Sequence, residues 1–348
     1  MSNAIVAAFA PIAFIALIAF LVALGVVRAA IAYAHRRGMY DQPGQRRSHS
    51  MPTPRGGGIG IIVAVLLTVP ASLMYLHPSW APYIVIALLM AIVMVAVIGW
   101  WDDHRSLPVL PRFGVQVLAV ALFSWALLID GPSWAWLPLL ILAGAWSINL
   151  HNFMDGIDGL LAQQGVFVAC GLAVLAWYSG QPAVAGASAC VAAACLGFGY
   201  YNRPPARIFM GDVGSGSIGL LLFALSAMLW RVSWPLLWPA LILSSAFVTD
   251  ASLTLLIRMV RGRRWYTAHR EHLYQWIVRR GRTHAVGAAW YVGWNLLVAA
   301  PIAALAFERP GMGLIACIVT YVIAAAVWLI VKRCLVRRDR YKVRYVHT

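Results

Sequence analysis

Long apolar runs separated by short polar gaps recur along the whole chain. The runs are long enough to cross a hydrocarbon core of roughly 30 Å as helices. Eleven helices are predicted, over about 4–32, 57–76, 81–99, 113–130, 136–150, 161–178, 183–200, 215–231, 235–257, 285–306 and 311–332. The expected architecture is an all-α polytopic membrane protein of about eleven transmembrane helices. No internal repeat or low-complexity linker divides it, so residues 1–348 read as one integral domain with a basic tail at 333–348. Composition agrees, with 62% hydrophobic and only 11% charged residues.

The polar gaps carry an orientation signal. In the first run, Arg28, Arg36 and Arg37 follow the apolar residues rather than precede them, which suits an uncleaved anchor with its N-terminus outside, in the periplasm. With that start, 25 of the 27 Lys and Arg residues fall in cytoplasmic segments, and only Arg231 and Arg309 do not. The C-terminus is then cytoplasmic. The net charge of +16 reads as topology plus attraction to anionic lipid, with no nucleic-acid partner. The outer gaps, such as 130–135 and 179–182, are too short for a folded domain, so the active site belongs on the inner face. Many of the 16 tryptophans, among them Trp80, Trp134, Trp136 and Trp234, sit at run ends as interfacial anchors. The five cysteines lack metal or redox spacing and read as free buried thiols.

Three acidic islands interrupt this basic face and together hold five of the eleven acidic residues. They are Asp102-Asp103, the stretch Asn149 to Asp158 with Asn152 and Asp155, and Asp212 in Phe209-Met210-Gly211-Asp212-Val213-Gly214-Ser215. Carboxylates near hydrocarbon cost enough to be functional suspects. Taken singly, each has a plain alternative: Asp102-Asp103 a solvated helix end, the Asp-Gly repeat a tight turn, Asp212 a helix cap. Their coincidence on one face favours chemistry, with one magnesium ion and one pyrophosphate as the point of convergence. Magnesium takes a few protein oxygens together with phosphate and water. Adjacent carboxylates can supply a metal ligand plus a base or nucleophile.

Two basic segments surround the islands. Arg55 precedes Gly56-Gly57-Gly58, which reads equally as a phosphate-facing loop or as a helix-packing face. Arg112 follows the Asp102-Asp103 loop. In the last inner loop His269, Arg270 and His272 suit phosphate and nucleotide contacts; on a helix the two histidines would share a face, but a zinc site would lack further ligands nearby. Asp250 lies within an apolar run and is expected to face the bundle interior, outside the catalytic set.

Four motifs in order, Pro52-Thr53-Pro54-Arg55-Gly56-Gly57-Gly58, Asp102-Asp103 with Leu107, Asn149 through Asn152-Phe153-Met154-Asp155-Gly156-Ile157-Asp158-Gly159, and Phe209 to Ser215, resemble the polyprenyl-phosphate N-acetylhexosamine-1-phosphate transferases. The resemblance spans about 35–284. It implies transfer of a sugar 1-phosphate from a UDP-N-acetylhexosamine to undecaprenyl phosphate, with release of UMP, in a bacterial inner membrane. It further implies Mg²⁺, with Mn²⁺ as a substitute, held by Asn152 and Asp212. Asp102 is then base or nucleophile, Asp103 its support, and Asn149, Asp155, Asp158, Arg55, Arg112, His269, Arg270 and His272 contact substrate. Direct attack by Asp102 and deprotonation of the lipid phosphate both remain open. The last loop, His269-Arg270-Glu271-His272-Leu273-Tyr274-Gln275, lacks the consecutive histidines of the peptidoglycan branch. It is more similar to enzymes that initiate O-antigen and other polysaccharides, with GlcNAc, FucNAc or QuiNAc donors. Related enzymes also suggest a homodimer. The competing class is a transporter or flippase of phosphorylated lipids, which would place its polar groups near the midplane, often in repeats.

Overall fold

The computed structural model describes residues 3–41, 52–76, 80–263 and 269–345. Each of the eleven predicted segments is helical. The chain forms α1 (Asn3–Arg37), α2 (Ile59–Tyr75), α3 (Pro82–His104), α4 (Val109–Leu128), α5 (Leu137–Met154), α6 (Leu160–Tyr178) and α7 (Pro182–Asn202). It continues through α8 (Asp212–Val232), α9 (Leu237–Leu243), α10 (Ser245–Val260), α11 (Leu273–Arg279), α12 (His284–Trp294), α13 (Ala300–Glu308) and α14 (Gly313–Tyr345). Proline opens α3 and α7, where its missing N–H is not needed and its fixed φ suits a helix start. Among the described residues, nine helices are long and apolar enough to cross a membrane, or ten if one bent pair counts as a single span. This is a polytopic helical membrane protein.

Three local features depart from the sequence reading. The helix expected over 235–257 is broken: α9 and α10 meet at Ser244 with a 72° bend. Ser244 turns its hydroxyl back to the Ala240 carbonyl at 3.2 Å, a bond that competes with the regular ladder. Between α12 and α13, Asn295–Ala299 widens into a π-turn just before Pro301, which has no N–H to continue the α ladder. The all-α expectation also misses a two-residue antiparallel ladder, β1 (Tyr40–Asp41) with β2 (Thr53–Pro54). Arg46, Arg47 and His49 of the intervening loop lie outside the described residues.

α8 is the central helix, with 89% of its most apolar stretch buried against 28% for α4 and 22% for α1. It packs on α3 and α5, while α7 packs against α1, α2 and α6. α7 is almost entirely Ala, Gly, Ser, Cys and Val through its middle, which lets three neighbours approach closely. Large apolar side chains left exposed, such as Phe14, Leu142 and Leu297, clothe the outside as a bilayer requires. At one end Trp136 stacks near Trp230 and Trp234, with ring centroids 5.7 and 5.1 Å away. All five cysteines are free; Cys190, Cys195 and Cys317 are buried, but Cys170 and Cys334 lie on exposed faces, against expectation. At the opposite end, the C-termini of α3 and α5, the N-terminus of α8 and the β1–β2 hairpin come together.

Candidate active site

The site is organised by the crossing of α3 with the start of α8. Asp103, whose side chain is fully buried, accepts the backbone N–H groups of Asp212 at 2.9 Å and Val213 at 3.1 Å. A carboxylate thus compensates the positive end of the central helix. Gly211 makes this docking feasible: its φ is +78°, and a Cβ there would strike the Asp103 carboxylate. Arg55 Nη2 then bridges Asp103 Oδ1 at 2.8 Å and Asp212 Oδ1 at 3.1 Å. Burial alone would lower the Arg55 pKa, but Asp103 and Asp212 raise it, so the guanidinium stays charged.

Arg55 is delivered by backbone pairing. Phe209 N–H donates to the Pro54 carbonyl at 2.8 Å, while Gly57 and Gly58 donate to Phe209 and Met210 carbonyls at 2.9 and 2.8 Å. A side chain at Gly58 would run into the Gly214 backbone. Of the two readings of this glycine run, the structure selects close packing: two of its three N–H groups are spent on carbonyls and do not face an anion.

Asp102 completes the array. Its Oδ1 accepts Leu107 N–H at 2.7 Å, and its Oδ2 pairs with Arg112 Nη1, which also lies 2.8 Å from Asp212 Oδ2. Asp102, Arg112, Asp212, Arg55 and Asp103 therefore form one continuous alternating chain of charge. Two guanidinium groups hold three carboxylates within contact distance.

The stretch after α5 contributes unevenly. Asn152 donates to Ser215 Oγ at 3.2 Å, which sets it beside the first turn of α8. Asn149 instead points toward α4, bonded to Gln116 Oε1 at 2.9 Å and the Ala145 carbonyl at 2.8 Å. Asp158 is committed elsewhere: it accepts Ala206 N–H at 3.0 Å and lies 3.1 Å from His284 Nδ1. It thereby ties the start of α6 to the α7–α8 loop and α12. Gln116, His284 and Asn202, which bridges Gly159 N–H and the Ile208 carbonyl, were not singled out in the sequence. Only their long-range partners give them away.

Asp155 caps α5 and accepts no hydrogen bond from a described residue. Burial, then the charge of Asp212, push its carboxyl up to about 7 despite Arg55 nearby. Between the ordinary value of 3.8 and about 7, the folded protein holds a proton that the unfolded chain has lost, so this group makes stability fall as pH rises. In magnesium-free buffer, Asp155→Asn is expected to flatten that decline, as read by thermal unfolding at about pH 5 and about pH 8. An unchanged slope would show that Asp155 is not the titrating group.

His269, Arg270 and His272 precede α11 rather than share a helix face. The His272 ring is buried, 4.9 Å from the His269 ring and 6.3 Å from Phe153, next to Asn152. Burial, aided by His272 and Arg258, lowers the His269 pKa to about 4, so this ring is neutral near pH 7. Burial and Arg279 lower that of Arg270. Glu271 anchors the loop to Arg258 and Arg263, and its carbonyl accepts Lys332 Nζ at 2.7 Å. Asp250, 1% exposed, accepts Leu273 N–H at 2.9 Å, Tyr291 Oη at 2.7 Å, Trp328 Nε1 at 2.8 Å and Thr254 Oγ1 at 3.2 Å. It is a fixed point joining α10, α12 and α14 to this loop.

Among the described residues no three His, Cys, Asp or Glu side chains converge as a ready-made metal shell. Oxygens of Asp212, Asp155 and Asn152 are the donors that α5 and α8 present in this corner. A small hard cation completed by phosphate and water suits such a sparse set.

The description of glycosyl transferase family 4 matches residues 85–230, from α3 through nearly all of α8. Over 343 aligned residues the chain is 34% identical to the decaprenyl-phosphate N-acetylglucosaminephosphotransferase of Mycolicibacterium smegmatis, covering 85% of this chain and 82% of that one. This chain belongs to the polyprenyl-phosphate N-acetylhexosamine-1-phosphate transferase family. The transferase is also 32% identical over 321 residues to the protein of the same name from Mycobacterium tuberculosis, covering 80% and 78%. It is 40% identical over 167 residues to a phospho-N-acetylmuramoyl-pentapeptide-transferase of a Synechococcus strain, covering 40% and 46%. The matched family segment of the transferase holds all five carboxylates of the acidic islands, whereas Arg55 and the His269–His272 loop lie outside it.

Proposed function

We propose that this transferase moves an N-acetylhexosamine 1-phosphate from a UDP-sugar to polyprenyl phosphate, releasing UMP and starting a lipid-linked cell-envelope polysaccharide. The observation that carries the reading is the alternating array of Asp102, Arg112, Asp212, Arg55 and Asp103 at one end of the bundle, beside Asp155, which has no hydrogen-bond donor among the described residues. Undecaprenyl phosphate is the acceptor in this reading, and an N-acetylated hexosamine without a peptide is the donor sugar, of the GlcNAc, FucNAc or QuiNAc type. The array faces the cytoplasm of a bacterial inner membrane, as the distribution of 25 of 27 basic residues supports.

Asp212, with Asn152 and Asp155, would hold Mg²⁺, which supplies neutralisation of charge on the donor pyrophosphate. Arg55 and Arg112 already neutralise carboxylates here, and their forks suit phosphate oxygens equally well. Asp103 fixes the α8 terminus and so the position of Asp212. Asp102, held by Leu107 N–H and Arg112, is the group for the transfer itself. It either takes the proton of the acceptor phosphate or bonds to the transferring phosphorus as UMP departs, the acceptor oxygen then displacing it. His269 and Arg270 would contact the nucleotide, and the buried His272 holds their loop in place. A transporter fits less well, because the polar array lies at the bundle end rather than the midplane.

The direct test is UMP release by the purified protein with undecaprenyl phosphate, a panel of UDP-sugars and Mg²⁺, with EDTA as control. Lipid-dependent and EDTA-sensitive UMP from one donor is expected. No UMP from any donor, beside a working related enzyme, would sink the transferase reaction.

A further inference from the structure

A second basic region lies away from the acidic array. A cavity of about 730 Å³ opens between the end of α1, the β1–β2 hairpin and the end of α7, lined by residues including Arg28, His35, Thr53, Tyr200, Tyr201 and Arg207. No carboxylate is among the described residues that line it. Arg28 and Arg207 form no ion pair with any described residue. Arg207 lies over the Tyr200 and Tyr201 rings, 5.2 Å from each centroid, and Arg203 lies over Tyr200 at 4.8 Å. The tyrosine rings thus gather two guanidinium groups that would otherwise repel each other, and no acid among the described residues pairs with them.

We propose that this cavity binds the phosphate headgroup of an anionic phospholipid. Guanidinium forks match phosphate oxygens, and basic pockets between helices at the cytoplasmic surface suit anionic lipid headgroups. Depth identifies the source of the phosphate. Arg28 lies within the candidate span Phe9–Arg37, and Leu17, Leu21, Arg28 and His35 recur at spacings that place them on one stripe of α1. Leu17 and Leu21 on that stripe are 53% and 54% exposed, an apolar track leading from the cavity into the bilayer. Acyl chains lie along this track when the headgroup sits between Arg28 and Arg207. The cavity wall at Thr53 and Pro54 runs directly into Arg55, so an occupied site also braces the segment that reaches the acidic array.

Native mass spectrometry of the purified full-length chain in detergent tests this, with phosphatidylglycerol, phosphatidylethanolamine, undecaprenyl phosphate and inorganic phosphate added separately. Phosphatidylglycerol is expected to be retained about tenfold better than phosphatidylethanolamine, and the double variant R28Q/R207Q to lose most of that preference. Undecaprenyl phosphate retention should be the same in both proteins. Equal retention of the two phospholipids by the unaltered protein overturns the proposal without any variant. So does a double variant that keeps the preference. Loss of undecaprenyl phosphate instead would assign the cavity to the acceptor, and displacement of phosphatidylglycerol by millimolar inorganic phosphate would make it a free-anion site. None of these readings depends on UMP release, so failure of the transferase reaction leaves them intact.

Discussion

Asp212→Asn is expected to lower UMP release by at least about a thousandfold while leaving the helical fold in place. Among the described residues, Asp212 is the only carboxylate in contact with both guanidinium groups, 3.1 Å from Arg55 and 2.8 Å from Arg112. Its backbone N–H, not its side chain, binds Asp103, so the helix cap survives the substitution. An amide keeps the shape but loses the charge that a divalent cation needs, and it leaves Arg55 and Arg112 with less reason to remain in register. Raising magnesium should not restore the rate. The check is UMP release across magnesium concentrations, with thermal unfolding alongside to confirm folding. Activity near that of the unaltered protein at saturating magnesium would remove Asp212 from the ligand set.

The same contacts explain what could be read in advance. The helices were legible because a lipid-facing helix must be apolar along its whole length, and the runs record that directly. The acidic islands stood out because charge is scarce in such a chain. What each carboxylate does was less legible, since it depends on which helices cross. Asp103 and Asp212 are 109 residues apart, and their bond exists because α3 meets the first turn of α8 beside Gly211. Asn149 and Asp158 sit in the same short motif as Asn152 and Asp155, yet helical rotation and loop geometry send them to Gln116 and to Ala206 with His284. Local spacing does not encode those partners. The bend at Ser244 was hidden for a related reason: the apolar run continues through it, and only its geometry shows two short helices.

Asp250 illustrates the limit from the other side, because its surroundings are made by α10, α11, α12 and α14 together. The structure shows four neutral donors on the carboxylate, from Leu273, Tyr291, Trp328 and Thr254, with His272 Nδ1 farther off at 3.8 Å from Oδ1. Asp250→Ala would orphan these donors at once, and buried unpaired donors cost about 1–3 kcal/mol each. Some will find other partners, so a net loss on the order of 3–5 kcal/mol is expected, enough to lower the unfolding temperature sharply. A cycle with Tyr291→Phe separates the hydrogen bonds from simple loss of volume. Removing the tyrosine hydroxyl should cost about 1 kcal/mol with Asp250 present and almost nothing, or a slight gain, when Asp250 is alanine. If the two losses simply add, the hydroxyl and carboxylate are not coupled, and α12 is held to α10 by packing alone. If they couple as expected, the loop bearing His269 and Arg270 is anchored by a buried acid through Leu273 and His272, and substitutions at Asp250 should weaken donor binding before they slow the transfer step.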